Sequence, residues 1–155
     1  MDFNKFYENN FSTVQLFCQK WAGNVDDARD IAQESFVELL HRENNEDSLK
    51  NPLSWVLRVA YNRCVNRHRF SKRFVRQPVI HHSDHCINEG DAETRERIKT
   101  IRKAMQRLND REKALVTLYK LGFSYGEMAR VIEMNPASVG KTLTRAIDKL
   151  AGWVK

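Results

Sequence analysis

The sequence predicts an all-α protein made of two small helical domains joined by a linker. Three observations carry that expectation. Apolar residues recur at i, i+3, i+4 and i+7 through most of the chain, the spacing of one helix face. Six glycines and three prolines in 155 residues leave few helix breakers, and no stretch alternates apolar and polar residues long enough for a strand. One window, 77–92, loses periodicity altogether. A chain of this length fits one ordinary domain or two small ones.

The first helical region runs from Phe3 to about Arg76. Phe6, Phe11, Val14, Leu16, Phe17 and Trp21 form its first apolar stripe. A second stripe follows in "DDARDIAQESFVELL": Ala28, Ile31, Ala32, Ser35, Phe36, Leu39 and Leu40. "NPLSW" then opens a third helix, with Asn51 as N-cap and Pro52 at the first helical position. Leu53, Val56, Leu57, Ala60 and Cys64 face inward. The segment "QPVIHHSDHCINEGDA" reads as linker, spanning 77–94. A second helical domain, 95–155, follows: a helix over Arg95–Leu108, one over Asp110–Leu121 stopped by Gly122, and two more.

Those last two carry the most specific local pattern, "SYGEMARVIEMNPASVGKTLTRAIDKL". Ser124 and Glu127 have capping-box spacing. Met128, Ala129 and Ile132 face inward, "EMNP" turns the chain, Asn135 caps, and Pro136 opens the final helix. Val139, Leu143, Ala146, Ile147 and Leu150 form its buried stripe, leaving Ala137, Ser138, Lys141, Thr144, Arg145 and Asp148 outward. That is helix-turn-helix grammar, in which the second helix enters the major groove. Lys141 and Arg145 are placed for base or phosphate contact, with Asn135, Ser138 and Thr144 alongside.

Charge is segregated. The chain carries a net +6, which fits a polyanionic partner. Acids nevertheless dominate from Asp26 to Asp47, and none occurs between Arg58 and Arg76, where seven Arg and Lys residues accumulate. Asp26 and Asp27 complement a helix N-terminus. Asp30, Gln33, Glu34 and an outward Val37 together resemble the edge of a protein interface. In the third helix, Trp55, Arg58, Asn62, Asn66 and Arg69 share an outward face of aromatic, amide and guanidinium groups, suited to single-stranded or opened nucleic acid. Trp55 equally suits half-buried packing.

Three cysteines without framework spacing read as reduced thiols. No apolar run spans a bilayer and the N-terminus is unlike a signal peptide, so the expected location is the cytoplasm. Gly-rich phosphate loops, nucleophile motifs and paired carboxylates are lacking, so neither an enzyme nor a cofactor is expected. His81, His82, His85 and Cys86 are metal-ligand types, but their spacing matches no zinc finger, and no metal is assigned.

In order and spacing, "DARDIAQESFVELL", "NPLSWVLRVAYNRCVNRHR" and "LNDREKALVTLYKLGFSYGEMARVIEMNPASVGKTLTRAIDKL" resemble the extracytoplasmic-function (group IV) sigma factors of the bacterial sigma-70 family. The resemblance implies a region 2 over 1–76 and a region 4 over 95–155. It implies that Asp30, Gln33, Glu34 and Val37 dock on the β′ coiled coil of core RNA polymerase. Trp55 would stand at the edge of promoter melting and Asn62 would help hold an extruded −10 base, while Arg58, Arg63, Asn66 and Arg69 follow the non-template strand. The helix from Pro136 would read the −35 element, and the implied partners extend to the β flap, promoter DNA and an anti-sigma factor.

Two departures stand out. The loop before Asn51 is acidic, with Glu46 and Asp47, and lacks a framing aromatic. The recognition helix has Gly140 and Thr142 where relatives usually carry cations, and Ile147 ends an otherwise arginine-rich pattern. Fewer cations release fewer counterions, so promoter recognition is expected to be relaxed, or assisted by another DNA-bound recruiting protein. A stand-alone helix-turn-helix regulator is the alternative reading.

Overall fold

A computed structural model of the chain describes residues 1–43, 50–74 and 90–154, and all regular structure within them is helical. Seven helices follow in order: α1 (Phe3–Cys18), α2 (Val25–Glu43), α3 (Pro52–Phe74), α4 (Ala92–Arg107), α5 (Asp110–Lys120), α6 (Tyr125–Ile132) and α7 (Pro136–Val154). The window read as linker falls mostly outside the described residues, as do Glu46, Asp47 and the His81–Cys86 cluster. Its C-terminal limit is corrected. Asp91 accepts the Thr94 backbone N–H, so α4 begins at Ala92, three residues before the expected start.

Caps fix the other helix starts. Asn24 accepts the Asp27 N–H at 2.8 Å while its amide donates to the Asp27 carboxylate, a reciprocal box that starts α2. Asn51 accepts from the Ser54 N–H and Pro52 opens α3. Ser124 accepts the Glu127 N–H and donates to its carboxylate, which starts α6. At the other end of α6, Glu133 takes the left-handed conformation (φ 54°, ψ 55°), a position that more often holds glycine. Asn135 then accepts the Ala137 N–H and Pro136 begins α7.

Helices α1, α2 and α3 pack around Val14, Phe17, Ile31, Phe36, Leu39 and Leu57, all almost fully buried. Each such side chain contributes about 1.5–3 kcal/mol through removal from water. Three stripe residues are corrected: Leu16, Leu40 and Ile147 are substantially exposed, because each lies at the edge of its helix's buried arc.

The two helical units share one continuous core. Leu115 and Leu118 of α5 and Met128 and Val131 of α6 belong to the same buried cluster as the residues of α1–α3. Helix α6 packs on α3, and α5 meets α1. A smaller cluster of Met105, Leu108 and Ala146, flanked by Leu150 and Trp153, ties α4 to α7, and Arg107 stacks 4.2 Å above the Trp153 ring.

Candidate polymerase and nucleic-acid interface

On α2, the inward residues Ala28, Ile31, Ala32, Ser35, Phe36 and Leu39 are buried, which turns Asp30, Gln33, Glu34, Val37, Glu38 and His41 to the surface. The period of 3.6 forces this division. Asp30, Glu34 and Glu38 stand four residues apart in a single column. With Arg63 of α3 these surface residues line an open groove of about 480 Å³. Val37, half exposed, supplies its apolar element.

Arg63 was expected to follow DNA, but it is turned toward α2. Its Nη1 lies 3.0 Å from Glu34 Oε2 and its Nη2 lies 2.8 Å from Glu38 Oε2. Arg67 approaches the other Glu34 oxygen at 3.8 Å. Glu38 was not among the expected site residues. Its partner lies on a different helix, and one-dimensional spacing carries no signal for that pairing.

Asn62, Asn66 and Arg69 are exposed on the other side of α3. Trp55 is partly buried against the core, and Arg42 lies over its ring at 5.4 Å. Arg58 is separated from that group by an ion pair of 3.2 Å with Glu133, the left-handed residue that ends α6.

The junction of the two units is polar at its rim. The Trp21 indole N–H donates to Asp110 Oδ1 at 2.9 Å, and His68 Nδ1 lies 3.6 Å from the same oxygen. Tyr61 meets Trp21 edge-on, and burial first, then the Asp110 carboxylate, push its phenol above the ordinary 10.0. Lys113, almost fully buried, sits 5.6 Å from the Trp21 ring centre. Burial, followed by Lys120 and Arg102, holds the half-buried Lys20 ammonium below 10.5. Beneath this rim Cys18 and Cys64 are buried free thiols; their mutual hydrogen bond, then burial, raises Cys64 well above its usual range. Such thiols are inert structural residues.

On α7, Ala137, Ser138, Lys141, Thr144, Arg145 and Asp148 are exposed, while Val139, Leu143 and Ala146 are buried. Asn135 is exposed and spends its side-chain oxygen on the helix cap. Gly140 and Thr142, the departures on this helix, both have neighbours within the protein. A Cβ at Gly140 would lie 3.4 Å from Tyr125 Cε2, so this position faces α6. Thr142 donates its hydroxyl to the Ser138 carbonyl. Lys149, the third cation of α7, is held 2.9 Å from the nearly buried Glu112. Lys141 and Arg145 are therefore the cations of α7 that make no ion pair among the described residues. No cluster of His, Cys, Asp and Glu able to hold a metal occurs among the described residues.

Residues 6–74 match the family model described as Sigma-70 region 2, and residues 98–150 match the one described as Sigma-70, region 4. Among solved structures, the chain is similar to the sigma factor RpoE from Bartonella quintana, determined in complex with the anti-sigma factor NepR. The TM-score is 0.76 at 17% sequence identity, covering 99% of this chain and 96% of that chain. At that identity the likeness speaks to the fold. No curated protein matches the chain.

Proposed function

We propose a division of labour for a chain that belongs to the sigma-70 family and is an RNA polymerase sigma factor of the extracytoplasmic-function type. The exposed face of α2, with Asp30, Gln33, Glu34 and Val37, docks on the β′ coiled coil of core polymerase. The outward side of α3 meets opened promoter DNA: Trp55 stacks at the edge of the melted segment, Asn62 holds an extruded −10 base, and Asn66 and Arg69 follow the strand. Arg58 joins them once its pair with Glu133 is released. Helix α7 enters the −35 major groove through Ser138, Lys141, Thr144 and Arg145, with Asn135 at its start.

The observation that carries this reading is the spatial segregation of charge. An acidic column beside an exposed Val37 lies on α2, while exposed cations stand on the faces read as meeting DNA, Arg69 on α3 and Lys141 and Arg145 on α7. Core polymerase, including its β flap, promoter DNA and an anti-sigma factor are the proposed partners, the last by analogy with the RpoE neighbour. The site of action is the cytoplasm; no helix of the described residues is long and apolar enough to cross a membrane. No catalytic role is assigned to the chain. The match of residues 6–74 to region 2 removes the ground for a stand-alone regulator.

Promoter recognition by α7 is relaxed or assisted by a second DNA-bound protein. Two free cations on the recognition helix support this, because each missing phosphate contact removes counterion release and weakens binding. Tight, sequence-selective promoter binding by the holoenzyme alone would contradict that part. Transcription with purified core polymerase, with and without the protein, tests the whole. Initiation is expected to depend on the protein; unchanged initiation on every template, premelted ones included, overturns the reading.

A further inference from the structure

We infer that Arg63 is a positioning residue of the polymerase-docking site, not a DNA contact, and that Glu38 belongs to that site with it. The inference rests on the docking reading of α2. Asp30, Glu34 and Glu38 form a column at i, i+4 and i+8 on one exposed helix face. Like charges at that spacing repel and destabilise a helix, and free glutamate side chains on a surface populate many rotamers. The Arg63 guanidinium answers both problems. Its two terminal nitrogens reach Glu34 Oε2 at 3.0 Å and Glu38 Oε2 at 2.8 Å, so one rigid fork sets the separation of two carboxylates. Glu38 retains acceptor capacity beyond this bond, since a carboxylate has about four acceptor sites.

Stability alone is a weak account of the arrangement. All three side chains are about 40–47% exposed, and ion pairs of that exposure contribute little to folding. The Arg63 Nε is buried without a hydrogen-bond partner, so the two glutamates supply its guanidinium's hydrogen bonds among the described residues. Arg63 also lies on the side of α3 that faces α2, whereas its neighbour Asn62 is exposed with Asn66 and Arg69. The fork holds the acids in one geometry before a cationic partner helix arrives, which removes an ordering cost from docking.

The test measures association and dissociation of the full-length protein with purified core polymerase. Arg63→Gln is expected to raise the dissociation rate about tenfold, as for the ordering of two long side chains. The association rate should not fall, because the substitution leaves the face more acidic. Arg63→Lys keeps the charge but not the fork, and should recover less than half of the loss. Thermal unfolding of both variants separates docking from folding, with midpoints expected within a few degrees of wild type. Asp30→Lys with Glu34→Lys serves as the reference. If that pair leaves polymerase binding intact, the docking reading itself fails. If it abolishes binding while Arg63→Gln dissociates at the wild-type rate, only the present inference is overturned. A defect of Arg63→Gln confined to promoter opening at saturating polymerase would return Arg63 to the DNA face.

Discussion

On α2 two of the acids proposed to meet polymerase are already partnered by α3: Arg63 bridges Glu34 and Glu38, and Arg67 stands near Glu34. On α7, Lys141 and Arg145 project from the surface with no ion pair among the described residues. The two faces serve different physics. A protein partner must find side chains at fixed separations, so holding them in advance lowers the cost of docking. A DNA phosphate backbone attracts cations over a Debye length and tolerates small misplacements, so exposed lysine and arginine suffice. Internal pairing suits the first face and would weaken the second.

The largest effect should come from breaking the first face outright. Asp30→Lys with Glu34→Lys reverses two charges at the docking groove, and core polymerase affinity is expected to fall about a hundredfold or more. Titration of labelled protein with core enzyme measures this; a loss under threefold would mean that the acidic face is solvated surface. The second face is tested by Lys141→Ala with Arg145→Ala. If both cations touch phosphates, the slope of log affinity against log salt for duplex binding by holoenzyme drops by about 2. An unchanged slope places those side chains away from DNA.

A smaller effect is expected at the junction between the units. Trp21→Phe keeps an aromatic ring but removes the 2.9 Å hydrogen bond to Asp110 and part of the indole's packing, costing at least about 1 kcal/mol in denaturant unfolding. If the loss is negligible, that hydrogen bond adds nothing to the junction. The smallest effect concerns the start of α4. The Thr94 backbone N–H, then its hydroxyl, hold the Asp91 carboxyl below its ordinary 3.8. Because the folded value is lowered, the cap is fully present above that ordinary value and fades as pH falls through the lower folded one. The protection factor of the Thr94 amide, the slowing of its exchange relative to an unstructured amide at the same pH, should therefore be high at pH 5, fall under strong acid, and be low at both in Asp91→Ala.

Much of the architecture was legible in the chain because it is set by local rules. Asn51–Pro52, Ser124 with Glu127, Gly122 and Asn135–Pro136 mark boundaries through backbone chemistry that acts within four residues. The outward sets on α2 and α7 followed from helical periodicity, and the structure exposes Asp30, Gln33, Glu34, Val37, Lys141 and Arg145 as that period requires. The start of α4 was missed because Asp91 caps it inside a stretch with no apolar repeat to announce a helix.

Relations between helices had no such signature. The common core of α1–α3 with α5 and α6, the Trp21–Asp110 bond across 89 positions, and the Arg58–Glu133 pair depend on how separate elements meet in space. The same holds for Arg63: its position on α3 suggested the DNA side, and only packing against α2 turned it to Glu34 and Glu38. In "DDARDIAQESFVELL" the sequence determined which acids face outward, since a helix turns about 100° per residue wherever it sits. The tertiary structure decided what those acids touch, because α2 and α3 bring together charges that lie 25 and 29 residues apart in the chain.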